Sequence, residues 1–438
     1  MEAVRAVQVP GGSAVSRCVV VADDLTGSCD AGHEFAKRAY DTRVVVSPQA
    51  APPTSAGDVV VVNTESRYAP PEVAAERVRT ALEGAREDVV FEKVDSTLRG
   101  NVRVEVAAAI EAVGPDLVLV APAFPDNGRV TASGYHLVNG RLVTDSAAGD
   151  DPERPPTHDS LAAYFGSDYP TEHVDVATVA RGAAAVRASL ESTRSADGPV
   201  VVTCDALTDD HLAAVAAAAG DRPERCLYVG SGGLARHVPV PGAALGAGVD
   251  VDDPRPVVGV SGSVAPETLD QVGRLPRDCR RQLDVERAVV DPDGAGAALT
   301  SRGAAVVDER GGVLLYSAEA TDDVERTLAA GEEAGVDGAT VRRRVTEALA
   351  AAAEGLVRDG RPPNLFVTGG ATAIAVLDRL DARALRMAGD AVAPGIPLAS
   401  VVGGVADGAT IVTKAGGFGD EQAIVKSLAR LGPDDERG

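Results

Sequence analysis

Short runs of β-branched and other apolar residues recur along the chain, each closed by a polar or glycine-rich turn. CVVVA precedes DDLTG, DVVVVN precedes TES, DVVFEKV precedes DSTLRGN and DLVLVAP precedes AFPDNGR; later VVGV precedes SGS, NLFV precedes TGGATA and TIVT precedes KAGGFGD. Runs that are apolar throughout, rather than alternating, belong to strands buried on both faces. Between them lie helix-forming stretches, at 29–40, 71–86, 102–113 and ending near 219. Pro71 suits the first turn of the second, where a missing amide costs nothing. Strands alternating with helices predict an α/β fold whose mainly parallel sheets are flanked by helices.

Two passages break the rhythm. From Thr131 to about Thr178 the chain is dense in Gly, Asp and Pro, as in DSAAGDDPERPPTHDS, and reads as a surface excursion or lid rather than core. The passage PVPGAALGAGVDVDDPRP reads as a linker, after which the strand, turn and helix pattern restarts. A chain of 438 residues exceeds one ordinary core. The expected organisation is a loose extension over 1–16, a first domain over 17–240, a linker over 241–256 and a second domain over 257–438, with a cleft between the domains.

Charge narrows the partners. The formal net charge of −23 would repel nucleic acid, and lysine occurs only at Lys37, Lys93, Lys414 and Lys426. An acidic, Arg-for-Lys, Ala-rich chain of this kind resembles proteins of salt-loving archaea, in which salt screens the repulsion. The five cysteines, Cys18, Cys29, Cys204, Cys226 and Cys279, are scattered without a C-x-x-C, and the six histidines show no metal-binding spacing. Neither a zinc site nor a disulfide framework is indicated, and metal ligands stay unassigned. No apolar run approaches the roughly 20 residues of a membrane-spanning helix, and the opening lacks a signal-peptide core. A cytoplasmic protein without membrane partners is expected; a homodimer is compatible with the sequence, which does not set the oligomeric state.

Ligands of open parallel sheets bind at the carboxyl ends of strands, so the residues carried there matter most. The first strand ends in Asp23 and Asp24. One aspartate there is explained as a helix N-cap; two in succession exceed what a cap needs. The fourth strand runs into Lys93, Asp95, Ser96, Thr97 and Arg99. These charges suit a small hydroxylated anion, and equally an internal salt-bridge cluster. Asn127 and Arg129, in PDNGR, read first as turn chemistry. In the second half, three glycine turns at strand ends offer backbone amides to phosphate. No G-x-x-x-x-G-K-[ST] is present, and no strand is followed by G-x-G-x-x-G with an acidic partner, which argues against a P-loop enzyme and a dinucleotide-dependent dehydrogenase.

ADDLTG, KVDSTLRGN, SGS, GGATA and KAGGFGD, in this order, resemble the four-carbon acid sugar kinase family, and the likeness runs from about Cys18 to about Leu431. The resemblance implies a sugar-acid-binding first domain, a nucleotide-binding second domain, and transfer of phosphate from ATP, with Mg2+, to the terminal hydroxyl of a threonate, erythronate or oxo-tetronate. In that reading Arg99 and Lys93 meet the carboxylate, Asp23, Asp24 and Asp95 accept hydroxyls, and Ser96 and Thr97 add neutral bonds. Phosphoryl transfer needs a carboxylate to orient or deprotonate the attacking hydroxyl. Asp24 is preferred for that role, with Asp23 as cap or hydroxyl acceptor. Ser261, Ser263, Gly369, Gly370, Ala371, Thr372, Lys414, Gly416 and Gly417 match the nucleotide-contacting motifs, with Lys414 approaching a phosphate or neutralising Asp420. Many relatives carry an acid where this chain has Ala371. A kinase for a different aldonate stays open, as does a sensor that binds both ligands without transfer; the aspartate pair favours an enzyme, since a sensor needs no base.

Overall fold

The computed structural model describes residues 17–46, 57–85, 87–193, 198–220, 225–242, 244, 249, 253–357 and 362–433. The 1–16 extension and half of the 241–256 linker lie outside the described residues. In the first half the strands are β1 (Cys18–Ala22), β2 (Thr42–Val45), β3 (Val59–Asn63), β4 (Val89–Lys93), β5 (Leu117–Ala121), β6 (Arg129–Ala132), β7 (Tyr135–Val138), β8 (Arg141–Leu142), β9 (Thr171–Val174), β10 (Val200–Cys204) and β11 (Cys226–Gly230). The second half adds β12 (Val257–Ser261), β13 (Arg280–Gln282), β14 (Gly312–Tyr316), β15 (Asn364–Thr368), β16 (Ala384–Ala393), β17 (Ile396–Val402) and β18 (Thr410–Lys414).

Each half has a parallel block. β2, β3, β1, β4, β11, β5, β10 and β9 lie side by side in the first half, and β13, β14, β12, β15 and β18 in the second. The antiparallel hairpin β16–β17 joins them, pairing with β18 on one side and β2 on the other, so among the described residues one 15-stranded sheet runs through both halves. β1 shows why the apolar runs are unbroken: Val20 and Ala22 face a core with Leu25 and Phe35, while Val19 and Val21 face another with Val78 and Val106. Helices cover both faces, so both sets of side chains are buried.

Register aligns the chemistry. Ala22 lies opposite Asn63 and Lys93, so the turns after β1, β3 and β4 emerge along one edge. Ser261 lies opposite Thr368, and Thr368 opposite Lys414, aligning the three glycine turns along another. The antiparallel junction reverses strand direction between the blocks, which in a flat sheet would set these edges on opposite sides. Six strand-to-strand steps separate β1 from β15. At about 20–25° each they turn one block against the other by roughly 120–150°. Reversal and twist together bring the two carboxyl edges face to face.

Several elements differ from expectation. The first helix spans Leu25–Ala36, not 29–40, because it starts directly after the capping Asp24. The second stops at Ala81, while the third covers Val102–Val113 as its pattern indicated. The Gly/Asp/Pro-rich passage is only partly a surface excursion. β6, β7 and β8 form a separate small sheet, β9 extends the main sheet, and Leu161, Tyr164 and Phe165 of a short helix enter the core. Widely spaced apolar residues in a polar stretch hid that packing.

Candidate active site

The acidic loop after β1 is held by a residue that carries no motif. Arg67, in the turn after β3, donates from Nε and Nη2 to the two oxygens of Asp23, at 2.7 and 2.9 Å, and from Nη1 and Nη2 to those of Asp24, at 2.7 and 2.8 Å. Its side chain also lies 3.8 Å from Asp95. Burial opposes the Arg67 charge, and the three carboxylates more than restore it. Two forked pairs on one guanidinium fix its plane, which lysine would not provide. Asn101 sets the turn, donating from Nδ2 to the carbonyls of Ser66, Arg67 and Ala69.

The cap falls on Asp24, not on Asp23. Asp24 Oδ1 accepts the Gly27 amide at 2.8 Å, whereas Asp23 is buried behind Arg67. Sequence order could not decide this, since capping depends on the turn of the chain after the strand. Gly27 is required for closeness: a Cβ there would stand 2.6 Å from Asp24 Oδ1 and 3.0 Å from Lys93 Nζ.

Along the turn after β4, Asp95 accepts from Thr97 Oγ1 at 2.5 Å and from Arg99 Nε at 2.8 Å. Burial would raise its pKa, but Arg67 and Arg99 hold it well below the usual carboxylate range. Arg99 is therefore tied within its own turn, and it also approaches Asp151, 3.6 Å away. The salt-bridge alternative describes Arg99 and Asp95 as they stand in this structure. Lys93 is buried and donates to the Val94 carbonyl at 2.8 Å. Ser96 and Thr97 line the cleft, and the Ser96 carbonyl binds the Nε2 of buried His136 at 2.9 Å, docking the small sheet onto this turn. Arg129, from that sheet, lines the cleft too, and its Nε is buried without a partner.

On the opposite edge the wall is main chain. Gly370, Ala371, Gly416 and Gly417 line the cleft, while Ser261, Ser263, Gly369, Thr372 and Lys414 do not. A Cβ on Gly416 would stand 2.5 Å from Ser263 Oγ, and Gly369 adopts φ 102°. Lys414 neither reaches the cleft nor pairs with Asp420, which binds Lys426 at 2.6 Å. Its ammonium donates to Thr268 Oγ1 and to the carbonyls of Ala415, Gly416 and Phe418 at 2.9–3.1 Å, curling the glycine loop around itself. Burial lowers its pKa to about 8. The hydroxyls of Ser261 and Thr368 are buried without partners beneath this wall.

The two edges enclose a cleft of about 1030 Å³, large for a small-molecule site. They approach closely at Thr26, whose Oγ1 would lie 3.6 Å from a Cβ on Gly370. Among the described residues, no group of three or more His, Cys, Asp and Glu is arranged to hold a metal. Besides Arg67, the motifs missed two carboxylates that line the cleft. Burial, with the charge of Asp24, raises Glu65 to about 7, and Asp30 is likewise raised to about 6 by burial. Asp30 lies just past ADDLTG, one helical turn beyond Gly27; Glu65 and Arg67 signal themselves only as charged residues shortly after a buried strand.

Comparison with known proteins agrees with this division. Residues 18–238 match a sugar-binding N-terminal domain, and residues 258–424 a nucleotide-binding C-terminal domain. A D-threonate kinase of Salmonella typhimurium is 32% identical over 424 residues, covering 94% of this chain and 97% of that protein. A D-erythronate kinase of Heliobacterium modesticaldum is 28% identical, covering 93% and 95%, and a 3-oxo-tetronate kinase of Methylobacterium radiotolerans 34%, covering 87% and 92%. A solved Haemophilus influenzae protein shares the fold, with TM-score 0.73 and 24% identity over 94% of this chain and 99% of that one. By the match of both domains in order and by near-full-length similarity to these enzymes, the chain belongs to the four-carbon acid sugar kinase family.

Proposed function

We propose that the protein transfers the γ-phosphoryl group of ATP to the terminal hydroxyl of a four-carbon sugar acid. One observation carries the reading: an edge of charged side chains and an edge of glycine-rich main chain face each other across one cleft, meeting at Thr26 and Gly370. The acid lies over the turns after β1, β3 and β4, with Lys93, Ser96, Thr97 and the cleft-lining Arg67 within its reach. The triphosphate lies on the turn at 416–417 and at the amino end of the helix Gly370–Arg379, where free amides favour anions. Magnesium enters with the nucleotide as part of the substrate; it usually takes few protein ligands, and Glu267 is the carboxylate this half gives to the cleft among the described residues. Closure would exclude water and protect ATP from hydrolysis.

The acidic surface suits assay in concentrated salt. With Mg-ATP, D-threonate, D-erythronate and 3-oxo-tetronate should be compared by ADP release and product mass. Acceptor-dependent turnover with a monophosphorylated product is expected for at least one. ATP consumption that no acceptor stimulates would sink the reading.

A further inference from the structure

The attacking hydroxyl must lose its proton, and the carboxylates of the acidic edge are not equally free to take it. Asp23 and Asp24 each give both oxygens to Arg67, and Asp24 also caps a helix. Asp95 is held by Thr97 and Arg99, and Glu65 accepts from Asn63 Nδ2 and the Leu25 amide. A carboxylate bonded to a guanidinium is a weak base, because proton uptake must break that pair. Asp30 also lines the cleft, and it has no part in any of these bonds.

Its surroundings are those of a base. Asp30 lies one turn along the helix from Gly27, whose bare Cα faces the Lys93 ammonium. On the other side is Gly232, where a Cβ would stand 2.4 Å from Asp30 Oδ2. Gly232 thus leaves room for a carboxylate that lines the cleft. The charged groups acting on it are Lys93, Glu34, Asp24 and Arg236.

We propose that Asp30, rather than the Arg67-bound aspartates, accepts the proton of the acceptor hydroxyl. The acceptor O–H bond breaks and the proton passes to an Asp30 oxygen. The acceptor oxygen bonds to the γ-phosphorus, the bond from that phosphorus to the β,γ-bridging oxygen breaks, and ADP leaves with the electron pair. The proton then returns to solvent through the cleft. Burial sets Asp30 at about 6, so it is mostly ionised at neutral pH yet basic enough to take a proton.

The proposal rests on the kinase reading, and the experiment separates the two. Asp30→Asn and Asp30→Glu are compared with the wild-type full chain for kcat and KM between pH 5 and 9, with acceptor binding by calorimetry. For Asp30→Asn, kcat should fall about 100- to 10,000-fold, with acceptor affinity within about threefold and the acid limb near pH 6 lost. Asp30→Glu should retain more of the rate. Replacing a buried carboxylate by a neutral amide should not lower the unfolding temperature at neutral pH, which keeps folding out of the result. Wild-type turnover with kcat of Asp30→Asn within about threefold, or an acceptor affinity that falls as far as kcat, would overturn Asp30 alone. A wild type that phosphorylates no four-carbon acid would overturn the kinase reading and this proposal together.

Discussion

The two edges of the cleft hold their shape in opposite ways. On the acidic edge the working surface is side chain: Asp23, Asp24, Asp95, Arg67 and Arg99 bind one another and hold every fork in place. On the glycine edge it is main chain, and the buried Lys414 ammonium donates to the carbonyls of its own loop. In the proposed function a short acid with several hydroxyls needs donors and acceptors at exact positions, which a braced charge network can hold. A triphosphate is a string of similar oxygens, which repeated backbone amides can grip without side chains.

The largest effect should come from cutting the brace. Arg67→Ala leaves Asp23 and Asp24 as neighbouring unpaired acids, and a buried pair broken on one side costs about 3–5 kcal/mol. Chemical denaturation should show a loss of that order, with turnover down at least about a hundredfold through misplacement. A loss below about 1 kcal/mol would mean the acidic edge needs no brace. The glycine edge should fail differently. Gly416→Val drives a side chain against Ser263 and Ala265. KM for ATP should rise about 10- to 100-fold, roughly 1.4–2.8 kcal/mol, with acceptor KM little changed. A matching rise in acceptor KM would erase the contrast between the edges.

The smallest effect concerns the acid behind the network. Burial, with the charge of Asp23, raises Glu105 to about 8, while neighbouring Glu92 is also raised well above the usual range. For a carboxyl whose folded pKa lies above its unfolded value, the folded state binds more protons in the window between, here from about 4.5 to about 8. Stability should therefore fall as pH rises through that window, and the cost persists above it. Glu105→Gln should flatten that fall in thermal unfolding and gain on the wild type toward pH 8. An unchanged pH slope would mean Glu105 ionises as readily folded as unfolded.

Much of the acidic edge was legible because its residues are consecutive: the pair at Asp23 and Asp24 and the run from Lys93 to Arg99 stand at strand ends that their apolar runs announce. What they do there was less legible. Lys414 reads as a phosphate ligand, yet four acceptors fold around it; Arg99 reads as a carboxylate ligand, and it lines the cleft while pairing with Asp95. Arg67 carries no pattern at all and becomes central only because β3 lies beside β1.

By itself the amino-acid sequence determined the alternation of buried strands and helices, the acid-tipped and glycine-rich turns at strand ends, and so the family and the division into two halves. These are local properties, set by side-chain periodicity and backbone freedom. The tertiary structure alone decided which charges neutralise one another, which aspartate caps the helix and which lines the cleft apart from Arg67, and that two oppositely directed blocks face each other. Pairing among charges depends on distances between residues far apart in the chain, and those follow from strand order, register and accumulated sheet twist.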